Sequence, residues 1–248
     1  MGISRQQLKL RAKVTIQETK PSPILFSALY VAILLLFSFL QTRLAGIDRF
    51  TYDDIYRMIE NMADMEWFFD HFSITPQAGI LLFAVWIVTT LISAGFSIYA
   101  LRVSRKIPSG FGTILDGFGM TVKILGVVIL RAVFITLWSL LLFIPGIIAM
   151  YRYRQALYIQ LDHPDWSPLA CIRASKQMMR GRKMELFVLD FSFLLWNLLT
   201  GAIYVGLLIS VWVYIYQELT YVHYYNSLLA NPFYQYDQNG NAYWNNHE

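Results

Sequence analysis

Four long apolar runs, almost free of charge, limit the fold of this chain more than any other feature. Residues 22–40 and 78–101 carry no Asp, Glu, Lys or Arg, while residues 124–150 and 186–217 carry one each, Arg131 and Asp190. About 20 mostly apolar residues are enough to cross a bilayer as a helix. The first two runs each fit one span, and the last is long enough for two. The sequence therefore predicts an all-α, polytopic helical membrane protein and not a soluble domain.

The overall composition agrees with a membrane protein. Hydrophobic residues make up 56% of the chain and charged residues 15%, against about 45–50% and about 25% in ordinary globular domains. The net charge of +4 comes from basic residues beside the apolar runs. Contact with anionic lipid headgroups at the cytoplasmic face explains these bases more simply than nucleic acid does. We therefore expect membrane lipids as partners and no nucleic acid.

The distribution of basic residues predicts the topology. Lys and Arg number five in 1–21, four in 102–123 and five in 162–184, but three in the long acidic segment 42–77. Cytoplasmic loops are enriched in Lys and Arg, so the first three segments are predicted to be cytoplasmic. The chain between the second and third must then cross twice, with a structural break at Pro145 and Gly146. A five-span arrangement would place a basic loop outside and ranks second.

The resulting prediction is a multi-pass protein of the cell membrane with both termini in the cytoplasm. A single helical membrane domain covers residues 22–230. Its six segments lie near 22–41, 78–101, 123–144, 146–161, 185–203 and 205–228. The fourth is short for a full span. On segment two, Ser93, Ala94, Gly95 and Ser97 form a small-residue patch, for which a contact within the protein is favoured over a dimer interface.

The remaining segments lie outside the bilayer core in this prediction. Residues 1–21 alternate between basic and apolar side chains, a pattern typical of a strand. A lone strand beside a membrane has no backbone partner, so an amphipathic helix is preferred. Residues 42–77 are predicted to be an extracytoplasmic acidic helical insert. A basic cytoplasmic helix is predicted over 167–181, with Ser167 as N-cap and Pro168 at its first position. The polar tail, 231–248, is predicted to be disordered.

Several of these segments together resemble one protein family. The residues that carry the likeness are Trp138-Ser139-Leu140, Ile144-Pro145-Gly146-Ile147-Ile148, Tyr151, Tyr153, Ser175-Lys176-Gln177-Met178-Met179-Arg180-Gly181, Leu186-Phe187-Val188-Leu189-Asp190-Phe191-Ser192-Phe193 and Trp196. The opening Gln6-Gln7-Leu8-Lys9-Leu10-Arg11-Ala12-Lys13 is also similar. Together they resemble domain-of-unknown-function family 975, multi-pass membrane proteins of Gram-positive bacteria. The resemblance implies a helical membrane protein and no established activity. The acidic segment 42–77 departs from the family pattern.

Ionisable residues within the apolar segments are the candidate functional site. Charges inside a bilayer are costly and are usually paired or face a cavity. At about 1.5 Å per residue, Arg131, Asp190, Arg154, Arg152 and Glu218 lie roughly 12, 10, 12, 15 and 15 Å from the cytoplasmic ends of their segments. His223 lies nearer the surface. These six residues are predicted to form an intramembrane polar cluster.

Two interpretations of this polar cluster remain open. The favoured one is structural, with Arg131–Asp190 and either Arg152 or Arg154 with Glu218 as ion pairs that fix the helix register. The alternative is a cavity open to the cytoplasm, in which the surplus arginines bind an anionic headgroup or solute.

The sequence contains no recognisable catalytic, metal or cofactor motif. We therefore expect no enzyme, no cofactor and no metal, and an intramembrane enzyme ranks third because Ser192 near Asp190 is too generic a pairing. The leading function is an accessory or scaffold component of a transport, secretion or envelope process. The alternative is a small transporter or lipid-handling protein with an arginine-rich cavity. A protein partner or a homo-oligomer is compatible with either function.

Overall fold

A computed structural model of the protein describes residues 4–45, 75–201 and 206–230, together with the backbone of residues 235–236 and 242–243. Most of the predicted acidic insert, residues 46–74, lies outside this part of the chain, so its helical structure stays a prediction. In the predicted disordered tail, Gln235–Tyr236 (β1) and Ala242–Tyr243 (β2) pair as antiparallel strands. These four residues depart from the prediction of disorder.

The described part of the chain is otherwise helical, as the sequence predicts. The helices are α1 (Arg5–Glu18), α2 (Pro23–Ala45), α3 (Pro76–Ser104), α4 (Thr121–Leu141), α5 (Phe143–Arg152), α6 (Ala156–Asp162), α7 (Pro168–Met178), α8 (Lys183–Phe191), α9 (Leu194–Thr200) and α10 (Gly206–Leu229). A 3-10 helix, Phe111–Met120, precedes α4.

Three helical stretches in the described chain are long and apolar enough to cross a membrane. They are Pro23–Ala45, Pro76–Ser104 and Phe111–Leu141, with 23, 29 and 31 residues. The third starts before residue 123, because the 3-10 helix continues into α4. Predicted segments four and five are each divided into two short helices, α5 with α6 and α8 with α9. Predicted segment six is a single helix of 24 residues, but Tyr, Gln and Glu residues make it more polar. The predicted count of six spans therefore stays a prediction.

The predicted reversal in the second half of the chain is present, but the break lies earlier than expected. Helix α4 ends at Leu141, Leu142 is extended with φ −163° and ψ 148°, and α5 begins at the next residue. Pro145 falls in the first turn of α5, where its missing N–H has no helical partner to lose. A Cβ atom on Gly146 would collide with Ser139 of α4. Gly146 thus permits the close approach of the two helices, while Leu142 makes the turn.

By contacts, the chain divides into two units, residues 1–30 with 91–248 and residues 31–90. In the second unit the described residues belong to α2 and α3 and expose large apolar side chains. Among these are Leu36, Phe39, Ile80 and Phe83. Such a surface suits lipid contact, since hydrocarbon chains solvate apolar side chains as well as a protein interior does.

The N-terminal helix α1 packs against α10 in the first unit. Leu8, Ala12 and Ile16 recur every four residues and are buried, so a helical stripe carries this contact. The preference for a helix over a strand at residues 1–21 is confirmed over Arg5–Glu18. Lys9 donates to the Ser192 carbonyl oxygen at the end of α8, with its Nζ 3.2 Å away. Burial and then the charges of neighbouring Arg5 and Lys13 lower the pKa of Lys9.

Helix α7 begins as the sequence predicts. The Ser167 side chain accepts a hydrogen bond from the Ala170 N–H at 3.2 Å, and Pro168 is the first helical residue. Gly181, with φ of +75°, follows the end of the helix. Arg173 and Lys176 are exposed. The opposite face is buried where α7 contacts α4 and α6. Helix α7 therefore has a basic exposed face and a buried face that forms part of the core.

The small-residue patch on α3 makes a contact within the protein. A Cβ atom on Gly95 would collide with the Ile114 carbonyl of the 3-10 helix, and one on Gly117 would collide with the Leu91 carbonyl of α3. The two backbones therefore approach each other more closely than side chains allow. This contact fits the interpretation favoured from the sequence, since the small residues admit a neighbouring segment of the same chain.

We expect Gly95→Ala to destabilise the protein by about 1–3 kcal/mol, because the added methyl group meets backbone that cannot rotate away. Gly119→Ala is the matched control, since nothing lies within 4 Å of its Cβ position. Thermal unfolding in detergent micelles measures both variants. Equal melting temperatures for the two would contradict this packing.

A second pair of variants tests the docking of α1. Leu8→Ala removes a side chain that is 2% exposed, whereas Leu10→Ala removes one that is 62% exposed. We expect a loss of about 2 kcal/mol or more for Leu8→Ala and less than about 0.5 kcal/mol for Leu10→Ala. Limited proteolysis at Arg11 and Lys13, compared between the two variants, measures the release of α1. Cleavage at the same rate would show that α1 is not packed through Leu8.

Candidate functional site

Asp190 is the centre of the first group of polar side chains. Its Oδ2 atom lies 3.2 Å from Nη1 of Arg154, and its Oδ1 atom accepts a hydrogen bond from the Tyr221 hydroxyl at 2.6 Å. The Arg154 guanidinium also lies over the Tyr221 ring, 4.6 Å from its centroid. Gln217 donates to the same hydroxyl at 2.9 Å. These contacts join the turn between α5 and α6 to helices α8 and α10.

Glu218 is the centre of the second group. Its Oε1 atom accepts two hydrogen bonds, from Ser97 of α3 at 2.7 Å and from Tyr158 of α6 at 3.0 Å. Tyr158 is buried and stacks on Tyr225 of α10, with ring centroids 5.4 Å apart. Glu218 therefore joins α10 to α3 and α6 through hydroxyl donors.

The remaining arginines of the predicted cluster have different surroundings. Arg131 on α4 is half-buried and makes no hydrogen bond or ion pair with any residue that the structure describes. It is close enough to Arg154 for the two cations to repel each other. Arg152 lies at the end of α5, with its guanidinium 5.8 Å from the ring centroid of Tyr153. Its backbone carbonyl accepts a hydrogen bond from Ser175.

His223 faces away from these groups. Its Nε2 atom lies 3.0 Å from Oγ1 of Thr15 on α1, and the side chain is buried between α1 and α10. The polar cluster predicted from the sequence is thus divided. Arg154, Asp190 and Glu218 lie together, Arg131 lies nearby, and His223 belongs to the docking site of α1.

The ion pairs expected from the sequence are replaced by others. Asp190 binds Arg154 and not Arg131, and Glu218 binds two hydroxyl groups in place of Arg152 or Arg154. The expected pairs were derived from depths along straight helices. In the structure, residues 153–155 form a turn between α5 and α6. The turn places Arg154 opposite α8, which straight-helix geometry does not predict.

A third polar network was missed from the sequence. Arg105, just after α3, forms a bidentate pair with Asp162 at the end of α6, with both N–O distances 2.7 Å. Asn226 accepts from Arg105 and donates to Ser104, and Tyr225 donates to Asp162 at 2.9 Å. The hydrogen bonds to Asp162 raise the pKa of Arg105. One sequence signal could have suggested this network. Residues 102–123 and 162–184 were both predicted to lie at the cytoplasmic face, which would bring Arg105 and Asp162 to the same side of the protein.

Cavities adjoin all three of these networks. One of about 620 Å³ lies beside Arg105 and Asp162, and one of about 150 Å³ lies beside Glu218. In the described part of the chain, no group of three or more His, Cys, Asp or Glu side chains is placed to hold a metal ion. Cys171 is buried next to Gln160, and its burial raises the pKa of its thiol to about 12. A group held in the thiol form is a poor nucleophile.

Residues 140–232 match the family described as "Protein of unknown function (DUF975)". This match confirms the resemblance noted from the sequence over the C-terminal part of the chain. It contains Arg152, Arg154, Asp190 and Glu218 but not Arg131. No curated protein and no solved structure matches the chain.

We expect Asp190→Ala to lower the stability and the folded yield, because it leaves the Arg154 guanidinium without its partner in an apolar region. The pair is partly exposed, with side-chain exposures of 30% and 20% for Arg154 and Asp190. The expected loss is about 1–3 kcal/mol, between the values for surface and buried pairs. Asp165→Ala, at an exposed loop position, is the control. Fluorescence-detected size-exclusion chromatography after heating compares the two, and equal recovery would show that the pair is unimportant for stability.

Proposed function

We propose that this protein is a non-enzymatic integral membrane protein that acts as an accessory or scaffold component of a transport, secretion or envelope process. This proposal rests on two acidic side chains in the apolar segments, Asp190 and Glu218, because each of them joins helices through its polar contacts. Asp190 is bound by Arg154 and Tyr221, and Glu218 by Ser97 and Tyr158. A polar network whose members bind each other rigidifies a core and specifies its arrangement.

The surroundings of Asp190 also support a non-enzymatic role. An intramembrane hydrolase requires a nucleophile within hydrogen-bond reach of a base. Ser192, the nearest serine in sequence, donates its hydroxyl to the Leu189 carbonyl at 2.6 Å. The carboxylate of Asp190 is bound by Arg154 and Tyr221. The arrangement therefore suits helix joining better than acid–base chemistry.

The tip of the α4–α5 hairpin exposes several large apolar side chains. Leu140, Leu141, Phe143 and Ile144 at its tip are all at least 69% exposed. Lipid or a partner helix would cover these side chains within a membrane, and transmembrane helices associate through close packing of such surfaces. We propose that this tip contacts the partner subunit.

A second candidate function rests on Arg131. The half-buried guanidinium has no hydrogen bond or ion pair among the described residues, and a cation in an apolar region requires a counter-charge. An anionic lipid headgroup or solute would supply it, because guanidinium groups bind phosphate and carboxylate oxygens in a bidentate manner. This candidate function is the anion binding considered from the sequence, with Arg131 in place of Arg152 and Arg154 as the main binding residue.

Native mass spectrometry after gentle extraction from the native membrane tests the two candidates together. The scaffold proposal predicts a stoichiometric protein partner that is lost when Leu140 and Phe143 are both replaced by Ser and retained in Arg131→Met. The anion-binding candidate predicts a bound anionic molecule that is lost in Arg131→Met and retained in Arg173→Met, a change at an exposed arginine of α7. Detection of neither a partner nor an anionic molecule would contradict both candidates.

A further inference from the structure

The cavity beside Glu218 has features that the scaffold proposal does not use. It lies within the first unit, among the start of α2, the middle of α3 and the middle of α10, and has a volume of about 150 Å³. Its lining includes Tyr30, Ser93, Phe96, Tyr214, Gln217 and Glu218. At about 30 Å³ for each water molecule, the space equals about five waters. It is large enough for a small organic ion.

Glu218 lines this cavity, and one of its carboxyl oxygen atoms takes no hydrogen bond from the described residues. Both hydrogen bonds to its side chain, from Ser97 and Tyr158, go to Oε1. No described residue donates a hydrogen bond to Oε2. The two donors fix the carboxyl group in place. An occupant of the cavity that donates a hydrogen bond would satisfy Oε2, and an unpaired acceptor in an apolar region is costly.

Aromatic rings form much of the remaining wall. Tyr30 stacks on Phe96 with ring centroids 4.2 Å apart, and its ring is nearly perpendicular to that of Tyr214, with centroids 6.2 Å apart. The Tyr30 hydroxyl lies 3.1 Å from Oγ of Ser93, which fixes the ring orientation. Aromatic ring faces attract cations that have few hydration waters, and ammonium ions are the usual ligands of such walls.

The charges around the cavity also favour a cation. Among the described residues that line it, Glu218 is acidic and none is basic. Arg154 is close enough to interact electrostatically with Glu218, but its guanidinium is paired with Asp190 and lies over the Tyr221 ring. The positive charge of Arg154 is thereby largely offset, while the donors to the Glu218 carboxyl group are neutral hydroxyl groups.

We propose that the Glu218 cavity binds a small organic ammonium ion, with its charge at Oε2 of Glu218 and its carbon substituents against Tyr30, Phe96 and Tyr214. A metal cation is a poorer fit, since it would require several oxygen ligands and the wall is largely aromatic. The ammonium group can belong to a free amine or to the headgroup of an amine-bearing lipid. This inference concerns a ligand and is independent of the scaffold role.

The test uses the full-length protein in nanodiscs of phosphatidylglycerol, a lipid without an amine. Ethylammonium, tetramethylammonium, sodium and potassium are each titrated while the melting temperature and the intrinsic aromatic fluorescence are recorded. We expect saturable stabilisation by at least one of the two organic ions and none by sodium or potassium. In Glu218→Gln the affinity should fall at least tenfold. Glu185→Gln, a change at a half-buried acid outside the cavity, should bind as the unmodified protein does.

A second variant and a second measurement cover the cases in which Glu218→Gln does not fold or the free ions do not bind. If Glu218→Gln does not fold, Tyr214→Leu removes part of the aromatic wall at a residue that is 39% exposed, and it should weaken binding of tetramethylammonium more than threefold. If the free ions do not bind, native mass spectrometry in phosphatidylethanolamine nanodiscs should show a retained lipid that Glu218→Gln loses. Binding of neither free ions nor that lipid, or equal binding by sodium, would overturn the proposal.

Discussion

An ionisable side chain in an apolar surrounding needs a polar partner, because burying an unpaired charge is costly. The rest of this structure depends on that constraint. Arg154 and Tyr221 supply the partners of Asp190, and Ser97 and Tyr158 supply those of Glu218. The partners come from segments far apart in sequence. The hydrogen bonds and the ion pair of these two side chains therefore link α3, α6, α8 and α10, and polar networks of this kind help to specify one arrangement of helices.

The local features of the fold could be predicted from the sequence. Ser167 with Pro168 identifies the start of α7, and Leu8, Ala12 and Ile16 mark the buried stripe of α1. These signals are local, because a cap or a helical stripe involves residues within a few turns. The resemblance to the family also predicted a helical protein in the C-terminal part of the chain, where residues 140–232 match the family.

The pairing of the charges could not be predicted in the same way. Depth along a straight helix placed Arg131 and Asp190 at similar levels, but it gave no information on which way each side chain faces. Short interruptions at Leu142, residues 153–155 and residues 192–193 divide the helices. Such interruptions have weak sequence signals, since only the first lies near a proline. The hydroxyl partners of Glu218 were missed for another reason, because serines and tyrosines are too common to single out.

The pairing of Arg154 with Asp190 is expected to stabilise the helical arrangement. A double-mutant cycle with Arg154→Met, Asp190→Leu and the double variant, measured by thermal unfolding in nanodiscs, tests it most directly. We predict that each single variant is less stable than the double variant, with a coupling energy of about 1 kcal/mol or more, because each leaves one charge unpaired. Additive effects, with a coupling energy near zero, would contradict the account.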